Sequence, residues 1–166
     1  MSLAEEMHVR PATAADAGAI RSLIFRVGIN PRDLDWRRFL VAVDVQGKLI
    51  GCGQVKPRSD ASRELASIAV RPKWRGRGLA SEVIRRLMAE GGPPLWLMCR
   101  SDLADFYRRF GFAAIREPER MPRYFRRVYR LATAAGRLLP GDNPMAVMTW
   151  EGHDKPVFLG KTGLCL

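Results

Sequence analysis

The pattern of hydrophobic and polar positions switches along the chain between short apolar runs, typical of strands, and apolar residues spaced three and four apart, typical of helices. Strands are predicted over residues 7–10, 40–45, 48–55, 65–70, 95–99, 112–115 and 145–150. Helices are predicted over residues 16–27, 33–39, 78–90, 102–110 and 121–139. The chain is therefore predicted to contain both strands and helices.

Local sequence signals support several of these elements. The pattern Thr13-x-x-Asp16 resembles a capping box and predicts the start of the first helix. Gln46-Gly47 is a two-residue connection of the type that closes a β-hairpin. The apolar face predicted for the last helix consists of Tyr124, Val128, Leu131 and Ala135.

The stretch from Glu64 to Glu90 combines a short apolar strand, a basic loop and an amphipathic helix in direct succession. The loop contains Arg75-Gly76-Arg77-Gly78, whose glycines allow the main chain to curl and approach a ligand closely. Successive N–H groups can then converge at the N-terminus of the helix, where the helix dipole also favours an anion. The loop is therefore a candidate site for a phosphate or pyrophosphate.

Other interpretations of this loop stay open at the level of the motif. An ordinary surface turn and an RGG-like contact with nucleic acid have the same composition. A Walker loop fits worse, because no Lys-Ser or Lys-Thr pair follows the glycines. A dinucleotide-binding loop also fits worse, because Ser81 follows Gly76-x-Gly78 where a third glycine is needed.

Two motifs together resemble the GNAT superfamily of acyl-CoA N-acyltransferases. The pattern Arg75-x-x-Gly78-x-Ala80, preceded by the strand 65–70 and Pro72, resembles its coenzyme A signature. The segment SDLADFYRRFGF, residues 101–112, resembles its later motif, in which a short helix with a tyrosine ends in Gly-Phe. The resemblance implies an α/β (α+β) fold with a mixed, mostly antiparallel central sheet of about six to seven strands and helices on both faces.

This plan assigns residues 1–150 to a single GNAT-like N-acetyltransferase domain. The helix predicted over 121–139 is an insertion relative to the minimal family plan. The last residues, 151–166, have no counterpart in it and are interpreted as a C-terminal tail, either disordered or non-native.

The resemblance also implies acetyl-CoA as co-substrate and a set of residues that bind it. In the family the central strand diverges from its neighbour, which frees main-chain groups for the pantetheine arm and the acyl carbonyl. The implied cofactor-binding residues are Ile68, Ala69, Val70, Arg75, Gly76, Arg77, Gly78, Ala80 and Ser81. The family often has Asn where Asp102 stands, contacting the pantetheine arm, so the chain departs from the family pattern at that position.

Two residues are implied to be catalytic. The Tyr107 hydroxyl would protonate the departing thiolate, a role suited to a phenol that keeps its proton at neutral pH. Glu64 would act as general base for the amine, directly or through water. The alternatives are a core aromatic for Tyr107 and an exposed carboxylate at a strand end for Glu64. Candidates for the acceptor side, with simple packing as their alternative, are Phe25, Asn30 and Trp36.

Composition changes this picture only slightly. Hydrophobic residues make up 47% of the chain and charged residues 27%, as in ordinary globular proteins. No apolar run approaches the roughly 20 residues that cross a bilayer. The N-terminus has acids where a signal peptide has basic residues, so a cytoplasmic protein without membrane contact is expected. Three scattered cysteines predict neither a disulfide framework nor a zinc site, and no metal-binding or nucleophilic-triad pattern is present.

The formal net charge of +11 favours an anionic partner. Coenzyme A, itself a polyanion, accounts for part of this charge, and the segment 116–130 is the strongest basic cluster.

The sequence thus predicts an N-acetyltransferase that transfers an acetyl group from acetyl-CoA directly to a primary amine of a small amine, amino acid or peptide. The basic region 116–137 suggests an acidic acceptor. A monomer or homodimer is expected. The alternatives are a non-catalytic coenzyme A sensor and a basic nucleic-acid-binding protein, the latter disfavoured.

Overall fold

The computed structural model describes residues 7–136 and 145–152 of the chain. Its strands are β1 (Met7–Pro11), β2 (Phe39–Asp44), β3 (Leu49–Pro57), β4 (Arg63–Val70), β5 (Leu95–Arg100), β6 (Ala113–Ile115) and β7 (Met145–Trp150). Its α-helices are α1 (Ala17–Arg26), α2 (Leu79–Gly91), α3 (Ala104–Arg108) and α4 (Arg123–Gly136). Short 3₁₀ turns occupy Ala14–Asp16, Trp36–Arg38, Pro72–Trp74, Ser101–Leu103 and Pro118–Arg120.

Across the described residues, seven strands form one sheet in the order β1-β2-β3-β4-β5-β7-β6. Neighbouring strands run antiparallel except β4 and β5, which are parallel. A parallel pair needs a crossover connection, and α2 supplies it between these strands. The predicted mixed, mostly antiparallel sheet is confirmed.

Helices cover both faces of the sheet. On one face, which we call the α2/α3 face, Val83 and Ala104 pack with alternate strand residues such as Leu97. On the other, the α1/α4 face, α1 buries Ile20, Leu23 and Ile24 over β2 and β3. There α4 buries Phe125 against Trp96, with the ring centroids 5.5 Å apart. Alternation along β5, where Trp96 and Leu97 enter different cores, shows why both faces need a covering layer.

Several local predictions are confirmed. The Thr13 main-chain N–H donates to Asp16 Oδ2 at 2.7 Å, as a capping box requires, and α1 follows. Gly47 adopts a φ of 77° in the β2–β3 hairpin, and its N–H donates to the Asp44 carbonyl at 2.9 Å. A left-handed residue suits the twist of a tight hairpin, and glycine adopts that conformation without a steric penalty.

Other local predictions are wrong. The helix predicted over 33–39 is only a 3₁₀ turn, Trp36–Arg38, because Asp35 caps it and β2 begins at once. The face predicted for α4 is also wrong at one position, since Leu131 is 62% exposed and Phe125 is buried instead. Packing of Phe125 against Trp96 on β5 decides which face of α4 is buried. The part of this prediction beyond residue 136 lies outside the described residues.

Two glycines on β3, Gly51 and Gly53, allow side chains of α2 and β4 to pack closely against that strand. A Cβ built on Gly53 would lie 2.5 Å from Ile68 Cδ1, 2.9 Å from Leu87 Cδ1 and 3.0 Å from Val83 Cγ1. Such separations are far below van der Waals contact, so a side chain at this position has to displace its neighbours. The absence of a side chain at Gly53 thus sets the spacing between α2 and the middle of the sheet.

We predict that Gly53→Ala lowers the free energy of unfolding by about 1–3 kcal/mol, because overpacking strains α2 against β3 and β4. Gly18→Ala is the matched control, since a Cβ on Gly18 in α1 meets nothing within 4 Å. It should stabilise the protein by up to about 1 kcal/mol through helix propensity. Urea unfolding of both variants measures the difference. Unchanged or higher stability for Gly53→Ala would refute the close packing.

Candidate active site

The parallel strands β4 and β5 separate soon after they begin. Their ladder contains one residue pair, Glu64 opposite Trp96. On its other side β4 stays paired with β3 as far as Val70 opposite Gly51. The later residues of β4 therefore have no ladder partner in β5. This slot between the strands leaves main-chain groups of β4 available to a ligand, which is the feature the resemblance implied for Ile68, Ala69 and Val70.

A β-bulge in β4 lies beside the slot. Ala66 pairs with Gln54 and Ala69 with Cys52, so two residues, Ser67 and Ile68, oppose the single residue Gly53. Ser67 has a φ of 58°, a left-handed conformation that is uncommon for a residue other than glycine. A bulge bends its strand and increases the local twist. The bulge therefore explains why β4 turns away from β5.

The glycine loop follows the open end of β4 and leads into α2. Gly76 and Gly78 have φ values of 77° and 80°, and Gly78 is the N-cap of α2. The first helical hydrogen bond runs from the Glu82 N–H to the Gly78 carbonyl at 3.0 Å, so the N–H groups of residues 79–81 precede the helical ladder. These donors include Ala80 and Ser81.

The loop also meets the steric and charge requirements of a diphosphate. A Cβ on Gly76 would meet nothing within 4 Å, so the space above the loop is open. Arg75 and Arg77 are exposed, with Arg75 Nε 3.3 Å from the Val70 carbonyl and the Arg77 guanidinium 5.0 Å from the Trp74 ring centroid. Open space, a left-handed N-cap and two cations together fit the pyrophosphate of coenzyme A.

Tyr107 lies on α3, after the end of β5, and packs with the core of the α2/α3 face. Its ring forms edge contacts with Phe106 and Phe112, at centroid distances of 5.1 and 6.2 Å. Burial, with a smaller contribution from the nearby Cys99 thiol, raises the pKa of Tyr107 to about 12. The phenol therefore keeps its proton across the physiological range. Because β4 and β5 are parallel, the segments that follow them, the loop and α3, both lie at the same edge of the sheet.

Glu64 lies on the α1/α4 face and is 5% exposed, so the alternative of an exposed carboxylate is wrong. Arg58 donates to Glu64 Oε2 from Nε at 2.7 Å and also from Nη2. Lys56 stands opposite Glu64 in the β3/β4 register, and its Nζ donates to the Arg32 carbonyl at 2.9 Å. Burial raises the pKa of Glu64, while the Arg58 guanidinium opposes that shift.

Gln54 continues this polar row toward the bulge. Its Nε2 donates to Ser67 Oγ at 3.0 Å, and it lies 3.4 Å from the Asp33 carbonyl. Gln54 is fully buried, and its Oε1 has no hydrogen-bond partner among the described residues. An unpaired buried amide oxygen costs stability, so polar residues kept here at that cost indicate a site.

The loop between β3 and β4 is attached to α4. Asp60 Oδ2 accepts a hydrogen bond from the Tyr124 main-chain N–H at 2.8 Å, which caps the first turn of α4 from outside the helix. The Arg58 guanidinium lies over the Tyr124 ring, 4.1 Å from its centroid. α4 is thus fixed beside Arg58 and Glu64.

The remaining candidates have other surroundings. Phe25 is 76% exposed on α1, Asn30 accepts a hydrogen bond from the Arg32 main-chain N–H at 3.1 Å, and Trp36 packs with the core under α1. Asp102 is exposed and paired with Arg100, whose Nε lies 3.0 Å from Asp102 Oδ1. The structure therefore gives Asn30 and Trp36 local structural contacts.

Four polar residues of the site were not predicted: Gln54, Lys56, Arg58 and Ser67. Gln54 and Lys56 alternate with apolar residues on β3, so a period of two places both on one face of a central strand. Buried polar residues at that spacing in the middle of a sheet were the available signal. No sequence signal pointed to Ser67, because the bulge depends on the register between β4 and β3.

Within the described ranges, no helix has the length and hydrophobicity to cross a membrane. In the same part of the chain, no group of three or more His, Cys, Asp or Glu side chains is arranged to hold a metal ion.

Comparison with solved structures defines the class of fold. N-acetylglutamate synthase from Neisseria gonorrhoeae, complexed with coenzyme A and N-acetyl-glutamate, has a TM-score of 0.69 at 19% identity, covering 89% of this chain and 35% of that chain. Rv2747 from Mycobacterium tuberculosis, in complex with CoA, has a TM-score of 0.66 at 21% identity, covering 87% and 98%. The protein has the GNAT fold.

The sequence then gives the family. Residues 35–114 match the family model described as acetyltransferase (GNAT) domain. Mycothiol acetyltransferase from Mycobacterium sp. (strain JLS) is 32% identical over 156 residues, covering 80% of this chain and 51% of the relative. The mycothiol acetyltransferase of Rhodococcus jostii (strain RHA1) is 33% identical over 82 residues, covering 49% and 27%. The chain spans about half the length, or less, of these curated relatives. It belongs to the GNAT superfamily.

The raised pKa of Glu64 predicts a pH-dependent stability with a definite sign. A group that binds its proton more tightly when folded contributes stability below its unfolded pKa, about 4.3, and that contribution is lost as pH rises through the folded pKa. Glu64→Gln removes this loss. The free energy of unfolding of Glu64→Gln relative to wild type should therefore increase as pH rises from about 4 to 7.

Arg58→Met is the opposing variant, because it removes the cation that holds Glu64 ionised. It should lose stability relative to wild type over the same pH range, by about 3 kcal/mol at neutral pH, as expected when one partner of a buried pair is removed. Denaturant unfolding at several pH values measures both. If the free energy of unfolding changed with pH in the same way for all three proteins, the interaction of Glu64 with Arg58 would not control a titration of Glu64.

Proposed function

We propose that the protein is an acyltransferase that moves an acetyl group from acetyl-CoA directly to a primary amine. The observation that carries the proposal is the slot between β4 and β5, with the glycine loop following β4 and the helix of Tyr107 following β5. The GNAT family match and the relatives named acetyltransferases support the transferred group. Solved neighbours in complex with coenzyme A support the co-substrate.

The two faces of the sheet divide the reactants between them. The glycine loop and Tyr107 lie with α2 and α3 on one face, whereas Glu64 lies on the α1/α4 face. We infer that coenzyme A enters from the α2/α3 side and the amine from the α1/α4 side, so that they meet in the slot. Main-chain N–H groups of residues 68–70 would orient the acyl carbonyl and stabilise negative charge on its oxygen.

Acetyl-CoA supplies an activated thioester, and the chain supplies the proton transfers. A carbon–nitrogen bond forms as the carbon–sulfur bond breaks. One amine proton passes to Glu64, directly or through water, and the Tyr107 hydroxyl gives a proton to the departing sulfur. Arg58 favours the ionised form of Glu64, as a base requires. The high pKa of Tyr107 keeps the phenol protonated, as a general acid requires.

We predict that Tyr107→Phe lowers kcat by about 10²–10⁴-fold, the usual contribution of a positioned general acid. The dissociation constant for coenzyme A should change little, because Phe retains the ring contacts with Phe106 and Phe112. Steady-state kinetics with an amine substrate and calorimetric titration with coenzyme A measure the two quantities.

Phe106→Leu serves as the control, since Phe106 contacts the Tyr107 ring but has no proton to give. Its effect on kcat should be much smaller than that of Tyr107→Phe. Equal kcat for wild type and Tyr107→Phe would remove Tyr107 from the chemistry. Coenzyme A binding without turnover of any amine would favour the alternative of a non-catalytic sensor.

A further inference from the structure

The α1/α4 face carries unbalanced positive charge close to Glu64. Arg58 is paired with Glu64, whereas Lys56 has no ion pair in the described part of the chain. Lys56 is only 6% exposed and donates to a main-chain carbonyl instead. A buried cation without a carboxylate partner is costly, and an anionic group on a ligand nearby would offset that cost.

An open depression lies along α4 on the same face, and four arginines line it together with Ser59, Tyr124 and Leu131. Two of these arginines are engaged. Arg126 Nη2 donates to the Met121 carbonyl at 3.0 Å, and Arg130 lies 3.8 Å from Glu119. The other two, Arg123 and Arg127, are exposed and have no hydrogen bond or ion pair to any described residue.

Arg123 and Arg127 are four residues apart on one helix, so their side chains lie on the same face one turn apart. Two guanidinium groups in this arrangement can hold one carboxylate or phosphate between them with several N–H donors. Leu131, which lies a further turn along and is 62% exposed, adds an apolar contact for the carbon chain of a ligand.

Tyr124 connects this depression to the reaction site. Tyr124 lines the depression, and the Arg58 guanidinium lies over its ring. The same guanidinium donates hydrogen bonds to Glu64. The depression is therefore separated from the carboxylate of Glu64 by two side chains. A molecule with its amine at Glu64 would have to extend past Arg58 and Tyr124 to reach Arg123 and Arg127.

We propose that Arg123 and Arg127 bind an anionic group of the acceptor, a carboxylate or a phosphate, while its amine lies at Glu64. This inference rests on the proposed function and specifies its acceptor as an amine that also carries negative charge, such as an acidic amino acid, an acidic peptide or an amine phosphate. Arg123 and Arg127 are then specificity-determining residues.

A nucleic-acid surface fits the same helix less well. Its aromatic residues are not available for base stacking, because Phe125 is fully buried, Tyr124 is covered by Arg58 and Tyr129 packs against the core. Stacking on exposed aromatic rings is the usual source of affinity for single strands. Affinity for a nucleic acid would then depend on charge alone. A depression with two guanidinium groups one helical turn apart suits a compact anion better.

The first test compares matched acceptors that differ in charge: L-glutamate with L-glutamine, and phosphoethanolamine with ethanolamine. For wild type, kcat/KM should be about tenfold higher for the anionic member of at least one pair, in line with a charge-assisted hydrogen bond. The pair that shows the preference identifies carboxylate or phosphate. In Arg123→Ala/Arg127→Ala the preference should disappear, mainly through a rise in KM.

The control is Arg21→Ala/Arg116→Ala, which removes the same charge from exposed arginines outside the depression. It should keep the preference. Two results would overturn the anion site and leave the proposed function intact. One is equal efficiency of acetylation for neutral and anionic acceptors, and the other is a preference for the anionic acceptor that survives in Arg123→Ala/Arg127→Ala.

A second test does not need turnover. With coenzyme A saturating and ionic strength constant, glutarate or inorganic phosphate should raise the Tm of wild type and of the control, but not of Arg123→Ala/Arg127→Ala. This result without acetylation of any amine would support the anion site and overturn the proposed function. The inference would be overturned by equal Tm shifts in all three proteins or by no shift in wild type. It would also be overturned if wild type bound single-stranded RNA with a steep salt dependence and the double variant lost that binding.

Discussion

The separation of β4 from β5 after a single residue pair is the constraint on which the site depends. A sheet interior normally satisfies every main-chain group by strand pairing, so an opening at its centre has to be imposed. The bulge at Ser67 and Ile68 imposes it, since the extra residue bends β4 while β3 keeps its register on either side. Gly53 makes the bulge possible, because a side chain there would occupy the space of Ile68.

The opening also explains how charge is distributed over the molecule. On the α2/α3 side, Arg75 and Arg77 stand at the free N-terminus of α2, where the helix dipole adds to their field. On the α1/α4 side, Arg58 pairs with the buried carboxylate of Glu64, and Lys56 stands opposite Glu64 in the β3/β4 register. Cations therefore lie on both faces of the sheet near the slot, and they contribute to the net charge of +11. An anionic cofactor and an anionic acceptor would both be attracted.

The sequence predicted what depends on local chemistry. Gly76 and Gly78 revealed the loop, because few other residues adopt their φ, and periodicity revealed α2 and its buried face. It did not predict the partners of Glu64 or the bulge at Ser67, since both arise from the register between β3 and β4. Leu131 was misassigned for a similar reason: α4 is apolar at several positions, and only contact with Trp96 selects Phe125 for burial.

The most direct measurement is the Tm with and without acetyl-CoA for wild type, Gly78→Glu and Gly47→Glu. Gly47 has nearly the φ of Gly78, 77° against 80°, so both variants carry similar backbone strain, but only Gly78→Glu places a carboxylate in the phosphate loop. At about a hundred times the dissociation constant, ligand should add roughly 2.7 kcal/mol to wild type and to Gly47→Glu. Gly78→Glu should show no shift. Equal shifts in all three proteins, or none in wild type, would contradict a coenzyme A site at the N-terminus of α2.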